Sequence, residues 1–382
     1  MRQAEQTSTP ATTPTRLGHG AEPAGAHTPR HLPARIAALL TLLLEQPISL
    51  YAAAVLRIGY GFLYFAFLLR EFPHRDEIWG PGSPWTPALA KQLFDQTGWA
   101  SILTLSDSRA YFEVCYTAAI VISALFMLGW RTRAVSVLFA VVVTSFHARS
   151  IFMTDGGDNL ILLMALYLVA TACGRRWSLD ARRARLRASA CKAVRLPPDQ
   201  ASGELRPHLR DARLTVITVL HNCGMLVIAA QVCFLYGSAG LYKVQGASWG
   251  NGTALHYALN LNLFQPWPEL SAMADEHDVL IAIACYLTVL LQVAFPFVLF
   301  GRLKYPVLTM LLSMHLGIVL FLGLPLFSGA MIVADAVFLP DRFYRYLAQL
   351  SRRVVPWADG REAPTPNPAE AASVPPQPEH TG

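Results

Sequence analysis

The chain is short of charge. Asp, Glu, Lys and Arg make up only 15% of its 382 residues against 53% hydrophobic, and the apolar residues fall in long blocks with no polar face between them. That pattern argues against a soluble all-α protein, since helices apolar all round are either deeply buried or in lipid. Cysteine is sparse as well. None of the six cysteines forms a Cys-x-x-Cys pair. Cys115, Cys173, Cys191, Cys223, Cys233 and Cys285 all fall in apolar blocks or on the strongly basic side, so neither a disulfide framework nor a thiolate metal site is expected. No His-x-x-His or Glu-x-x-His pair lies in an apolar block, and no metal is expected. A cleavable signal peptide is not expected either: the run 37–44 is short, starts far from Met1 and lacks a small-residue cleavage pattern.

What is present in quantity is membrane-length apolar sequence. A bilayer core about 30 Å thick takes roughly 20 apolar residues to cross as a helix. Candidate spans are 49–69, 110–130, 132–153, 159–173, 214–236, 279–300, 306–324 and 327–339, the fourth and eighth being short. The expected fold is an all-α polytopic transmembrane bundle of about eight spans. Orientation follows from Lys and Arg. With an even number of spans, most of the 31 fall on one side: in both tails, at Arg131 and Arg133, in the loop 174–213, at Arg302 and Lys304, and from Arg342 on. That side is expected to be the cytoplasm, with both termini in it. The pI near 9.1 then reports topology and contact with anionic lipid, and no nucleic-acid partner is expected.

Residues 1–33, rich in Thr, Pro, Ala and Gly, and residues 355–382, rich in Pro, Glu and Ala, are expected to be disordered tails. Residues 34–46 read as an interfacial helix, and 47–345 as the transmembrane domain. Its outer loops, 70–109 and 244–278, carry Trp79, Trp85, Trp99, Trp249 and Trp267, which are expected to anchor the headgroup boundary. Asp155-Gly-Gly-Asp-Asn159 reads as a tight turn that exploits the positive backbone angles open to glycine, in preference to a calcium loop.

A charge within a span is costly and marks a functional candidate. Arg57, Glu113, His147, His221 and Asp335 qualify, together with Lys243 and His315. The depths of Arg57 and Asp335 put them within reach of one another, so a buried structural ion pair is expected. His221 and His315 are single histidines on apolar helices, the pattern of packed, hydrogen-bonded residues. Lys243 follows the small residues Gly237, Ser238, Ala239 and Gly240, where a second helix can approach closely. Position alone leaves two readings of it: a poorly hydrated amine able to act as a general base, or a lysine that snorkels to the headgroups.

The stretch Tyr236-Gly-Ser-Ala-Gly-Leu-Tyr-Lys243, followed by Trp249 and Gly252, resembles a motif of the vitamin K-dependent γ-carboxylases and their bacterial relatives, the HTTM-domain proteins. Leu-Arg57-Ile-x-x-Gly, Asp158-Asn159, Trp177-Ser-Leu-Asp180 and the Met-His315 helix follow the family's order over about Pro47 to Asp341. The resemblance implies a quinone-dependent oxygenase or carboxylase-like enzyme. It also implies a site of Lys243 as base with His315, Asn159 and Asp158, and a reduced menaquinone or another quinone as cofactor. Two departures are visible: Asp158-Asn159 stands where the animal carboxylases have Asn-His, and no counterpart of their large luminal domain is expected after the last span. A second class stays open, a non-enzymatic membrane factor for maturation or export of a secreted peptide, as some bacterial relatives accompany small secreted peptides. A transporter has the least support, because the spans show neither an inverted repeat nor paired broken helices. The Ala- and Arg-rich usage is that of a GC-rich bacterial genome, so the expected location is the bacterial inner membrane, multi-pass.

Overall fold

Apolar blocks of this kind become helices because a chain in lipid has to satisfy its backbone N–H and C=O groups internally. The computed structural model describes residues 41, 44, 46–193, 205–299 and 301–354, and among them it is all-helical without a strand. The tails expected over 1–33 and 355–382, and nearly all of the helix expected over 34–46, lie outside the described residues. Beyond Thr41 the described residues belong to one unit, Leu43–Gly382.

Twelve helices organise it: α1 (Leu50–Arg70), α2 (Pro87–Thr97), α3 (Arg109–Leu128), α4 (Thr132–Arg149), α5 (Gly156–Ala170), α6 (Leu179–Ala193), α7 (Leu205–Val244), α8 (Pro268–Asp275), α9 (Asp278–Val298), α10 (Lys304–Leu322), α11 (Pro325–Asp335) and α12 (Asp341–Val354). Five of them, α1, α3, α7, α9 and α10, are long and apolar enough to cross a membrane, while α5 and α11 are shorter apolar helices. Protein packing does not account for that apolarity: only 28% of the α9 window and 17% of the α10 window are buried. Contiguous apolar surface on this scale is characteristic of contact with lipid.

α1 sits at the centre, against α3, α5 and α11, and α7 packs along α9. The α7–α9 contact bears out the expectation from the small residues. A Cβ on Gly240 would come within 2.8 Å of Val293 Cγ2 and 2.9 Å of its backbone nitrogen, so no larger residue fits there.

The basic loop expected over 174–213 is mostly helix. Ala, Arg and Leu dominate it, and these are strong helix formers. They build α6 and the first turns of α7, whose 40 residues make a rod of about 60 Å, twice the thickness of a bilayer core. The loops expected over 70–109 and 244–278 likewise hold α2, α8 and the short helices Arg75–Ile78, Ala247–Gly250 and Ala254–Leu259.

Trp177 gathers one end of the bundle. Its ring meets Tyr51 at the start of α1 and Tyr344 in the first turn of α12, at centroid distances of 5.4 and 6.2 Å. The bundle therefore begins and ends on one face. Asp180 ties the α3–α4 turn to the same end, accepting hydrogen bonds from the N–H groups of Arg131 and Thr132 and from the Thr132 hydroxyl, at 3.0, 2.7 and 2.8 Å. Partial burial pushes the Asp180 carboxyl up, but these donors outweigh it and hold the group below its ordinary value.

Arg57 and Asp335 do not pair. The Arg57 guanidinium donates instead to backbone carbonyls: Phe126 at 2.8 Å, Trp177 at 2.6 Å, Cys173 at 3.3 Å, and Met127. The reason lies in the end of α3. Gly129 leaves that helix in the left-handed region at φ 71°, and the last carbonyls point at the arginine, that of Phe126 receiving besides it only the cap N–H of Gly129 at 3.1 Å. A helix C-terminus carries partial negative charge, and the five-donor fork of arginine satisfies several carbonyls at once. Depth along the helices could not distinguish these acceptors from a carboxylate.

Two further expectations are corrected. Asp155-Gly-Gly-Asp158 is the N-terminus of α5, not a positive-φ turn: Asp155 accepts from the N–H groups of Gly157 and Asp158 while Asp158 accepts from that of Asp155. Glycine is needed for close approach, because a Cβ on Gly157 would lie 2.7 Å from the Cα of Phe327 at the start of α11. Trp79 is no boundary anchor either. Only 3% exposed, it is packed among Phe67, Tyr116 and Phe146, whereas Trp267 is 61% exposed.

Candidate functional site

The polar centre of the bundle is Tyr236, a residue that sequence reading placed in a motif without giving it a role. It lies on α7 and is 1% exposed. Its hydroxyl donates to Asp335 Oδ2 of α11 at 2.9 Å and stands 3.0 Å from His315 Nε2 of α10. With the hydroxyl proton given to Asp335, His315 is the donor to the tyrosine oxygen, which fixes its neutral Nε2–H tautomer. Three helices are thus tied by two hydrogen bonds within apolar surroundings that include Phe295 and Phe327. Both partners keep an unused acceptor: among the described residues, buried His315 Nδ1 and Asp335 Oδ1 have no hydrogen-bond partner.

Lys243 is seven residues further along α7. Two turns carry it about 10 Å from Tyr236 along the helix and back to the same face. Its amine lies 5.3 Å from the centroid of the Trp249 ring and has no carboxylate partner among the described residues. Trp249 arrives there because α7 stops at Val244 and the chain turns into the helix Ala247–Gly250. Gly252 then reverses direction at φ 74°, packed so tightly on α9 that a Cβ would meet Ala282 at 3.0 Å. The signal that could have found Tyr236 is this i, i+7 spacing to Lys243.

Asp158 and Asn159 lie elsewhere. Asp158 lines a cavity of about 260 Å³ with Tyr64, Phe67, Trp79, Phe146 and Phe327, and His147 also faces it. Neither Lys243 nor His315 lines this cavity, though Phe327 borders it and stands 6.0 Å from the His315 ring. Asn159 is exposed, and its side chain donates to the Asp155 carbonyl at 2.8 Å, a helix-end contact. Of the four candidates, His315 is bonded to Tyr236 and Lys243 lies two turns further along α7, while Asp158 and Asn159 lie at the start of α5.

The remaining ionisable residues have structural partners. Glu113 receives two 3.0 Å hydrogen bonds from Arg75 at the far end of the bundle. His221 accepts at Nδ1 from the Ala172 N–H at 3.1 Å, and its Nε2 stands 2.7 Å from the Ile48 carbonyl, a packed histidine as its pattern suggested.

Fold and site together define an all-helical membrane protein with a buried Tyr–His–Asp cluster and, at the end of the 40-residue α7, an amine without a carboxylate partner among the described residues. No protein-family model, curated protein or solved structure matches the chain.

Proposed function

We propose that the protein is a membrane enzyme of the quinone-dependent oxygenase or carboxylase-like type, with Lys243 as its base, related to the HTTM proteins and vitamin K-dependent γ-carboxylases. It crosses the membrane with α1, α3, α4, α5, α7, α9, α10 and α11, and keeps both termini in the cytoplasm of a bacterial cell. Its basic end faces inward and Lys243 faces outward across the inner membrane.

The observation that carries this reading is the setting of Lys243. A carboxylate partner would hold an amine in its charged form. Lys243 has none among the described residues, and instead lies against Trp249 on the same helix face as the Tyr236 cluster. Nζ is the atom that takes up a proton from a substrate hydroxyl. Trp249 orients the amine, and the bonds of Tyr236 to His315 and Asp335 keep α7, α10 and α11 in register around it. A reduced menaquinone-type cofactor, when bound, would supply the oxygen chemistry that follows proton removal.

Purified protein given reduced menaquinone, oxygen, bicarbonate and a glutamate-containing peptide is expected to form quinone epoxide, read by mass spectrometry, with or without carboxyglutamate. No product with several reduced quinones would overturn the enzymatic reading and favour the secreted-peptide maturation factor.

A further inference from the structure

A second cavity lies at the opposite, basic end of the bundle. It measures about 190 Å³ and is bounded by the start of α4, the segment after α5, and α7. Arg133 and Arg175 line it, with Thr132, Ser136 and Asp180 beside them and Ile217 of α7 on the apolar side. Neither guanidinium has a hydrogen-bond or carboxylate partner among the described residues. Two like charges facing one small space repel each other. Burial and the neighbouring Arg133 both pull Arg175 below the ordinary arginine value.

The one acid in the wall, Asp180, offsets only one of the two charges. Asp180 spends both oxygens on Arg131 and Thr132. Those donors tie down the first residues of α4, where the Thr132 N–H binds Asp180 and the N–H groups of Ala134 and Val135 bind the Arg131 carbonyl at 3.0 and 3.1 Å. Two unpaired arginines and a hydroxyl-bearing wall form a receptor for a phosphate-type anion.

The geometry points to an anionic phospholipid headgroup as the occupant, its phosphate between Arg133 and Arg175 and its acyl chains running along α7 past Ile217. The source is a lipid because the cavity opens beside helices with apolar, unburied flanks: Val137, Leu138 and Val141 on α4 and Leu214, Val216 and Leu220 on α7 are all exposed. Basic pockets between spanning helices at the cytoplasmic surface are where such headgroups bind.

The test uses the full-length protein in a neutral detergent and follows its melting temperature while phosphatidylglycerol, phosphatidylcholine or inorganic phosphate is added. Phosphatidylglycerol is expected to raise it, and the other two, at the same phosphate concentration, to leave it unchanged. R133Q is expected to need about fivefold more phosphatidylglycerol for the same rise. R187Q, which alters an exposed arginine of α6, is expected to behave as wild type. Arg133 is itself exposed, so R133Q carries the test even where R175Q fails to fold. An equal rise with inorganic phosphate would replace the lipid by a free anion. An R133Q response matching wild type would remove the site altogether.

Discussion

Replacing Arg57 by alanine is expected to destabilise the protein by at least about 3 kcal/mol, seen as a large drop in melting temperature or as loss of the monodisperse form in detergent. Arg57 is fully buried and serves the carbonyls of Phe126, Met127, Cys173 and Trp177. Each carbonyl stripped of its donor in an apolar interior costs about 1–3 kcal/mol. The loss would also separate three segments, the end of α3, the turn after α5 and the start of α6. Arg57→Lys is expected to rescue only in part, because an ammonium on a flexible stem lacks the planar fork that reaches several carbonyls together. Asp335→Asn leaves all four bonds intact. An Arg57→Ala protein within about 1 kcal/mol of wild type would show that the carbonyls find other donors.

Lys243→Ala is expected to lower quinone turnover by about 10²- to 10⁴-fold, the usual contribution of a general base, with little change in melting temperature. The contact its side chain makes with the Trp249 ring is worth about 0.5–2 kcal/mol. Lys243→Arg separates the two readings of this residue. Arginine keeps the positive charge and the ring contact but does not give up its proton in proteins. A base role therefore makes the arginine variant as inactive as the alanine one, whereas a headgroup anchor would leave it near wild type.

The sequence made the long apolar helices legible because length and apolarity are one-dimensional properties. It also exposed the close approach of α7 and α9, since Gly237 to Gly240 form a run of small residues that has few other uses in a membrane helix. What it hid were choices among partners. Arg57 and Asp335 sat at compatible depths, yet the arginine's acceptors are carbonyls, which every residue has and no composition reveals. Tyr236 looked like one aromatic among many until α10 and α11 brought His315 and Asp335 to its hydroxyl. Asp158 and Asn159 are neighbours in the chain, but a helix sends one toward a cavity and the other out. Arg133 and Arg175 counted only as two votes for the cytoplasmic side until the fold set them in one small space.

The proposed function places the arginine-rich end of the bundle in the cytoplasm and the amine at the far end of α7 outside. Labelling of intact cells with a membrane-impermeant maleimide reads that arrangement directly, using Gln245→Cys beside Lys243 and Ser189→Cys on α6, both at exposed positions. The native cysteines all lie in apolar helices or toward the basic end, so wild type is expected to stay unlabelled. Gln245→Cys should react from outside, and Ser189→Cys only after the membrane is permeabilised. Reaction of Ser189→Cys in intact cells, with Gln245→Cys protected, would contradict the orientation and with it the outward-facing base.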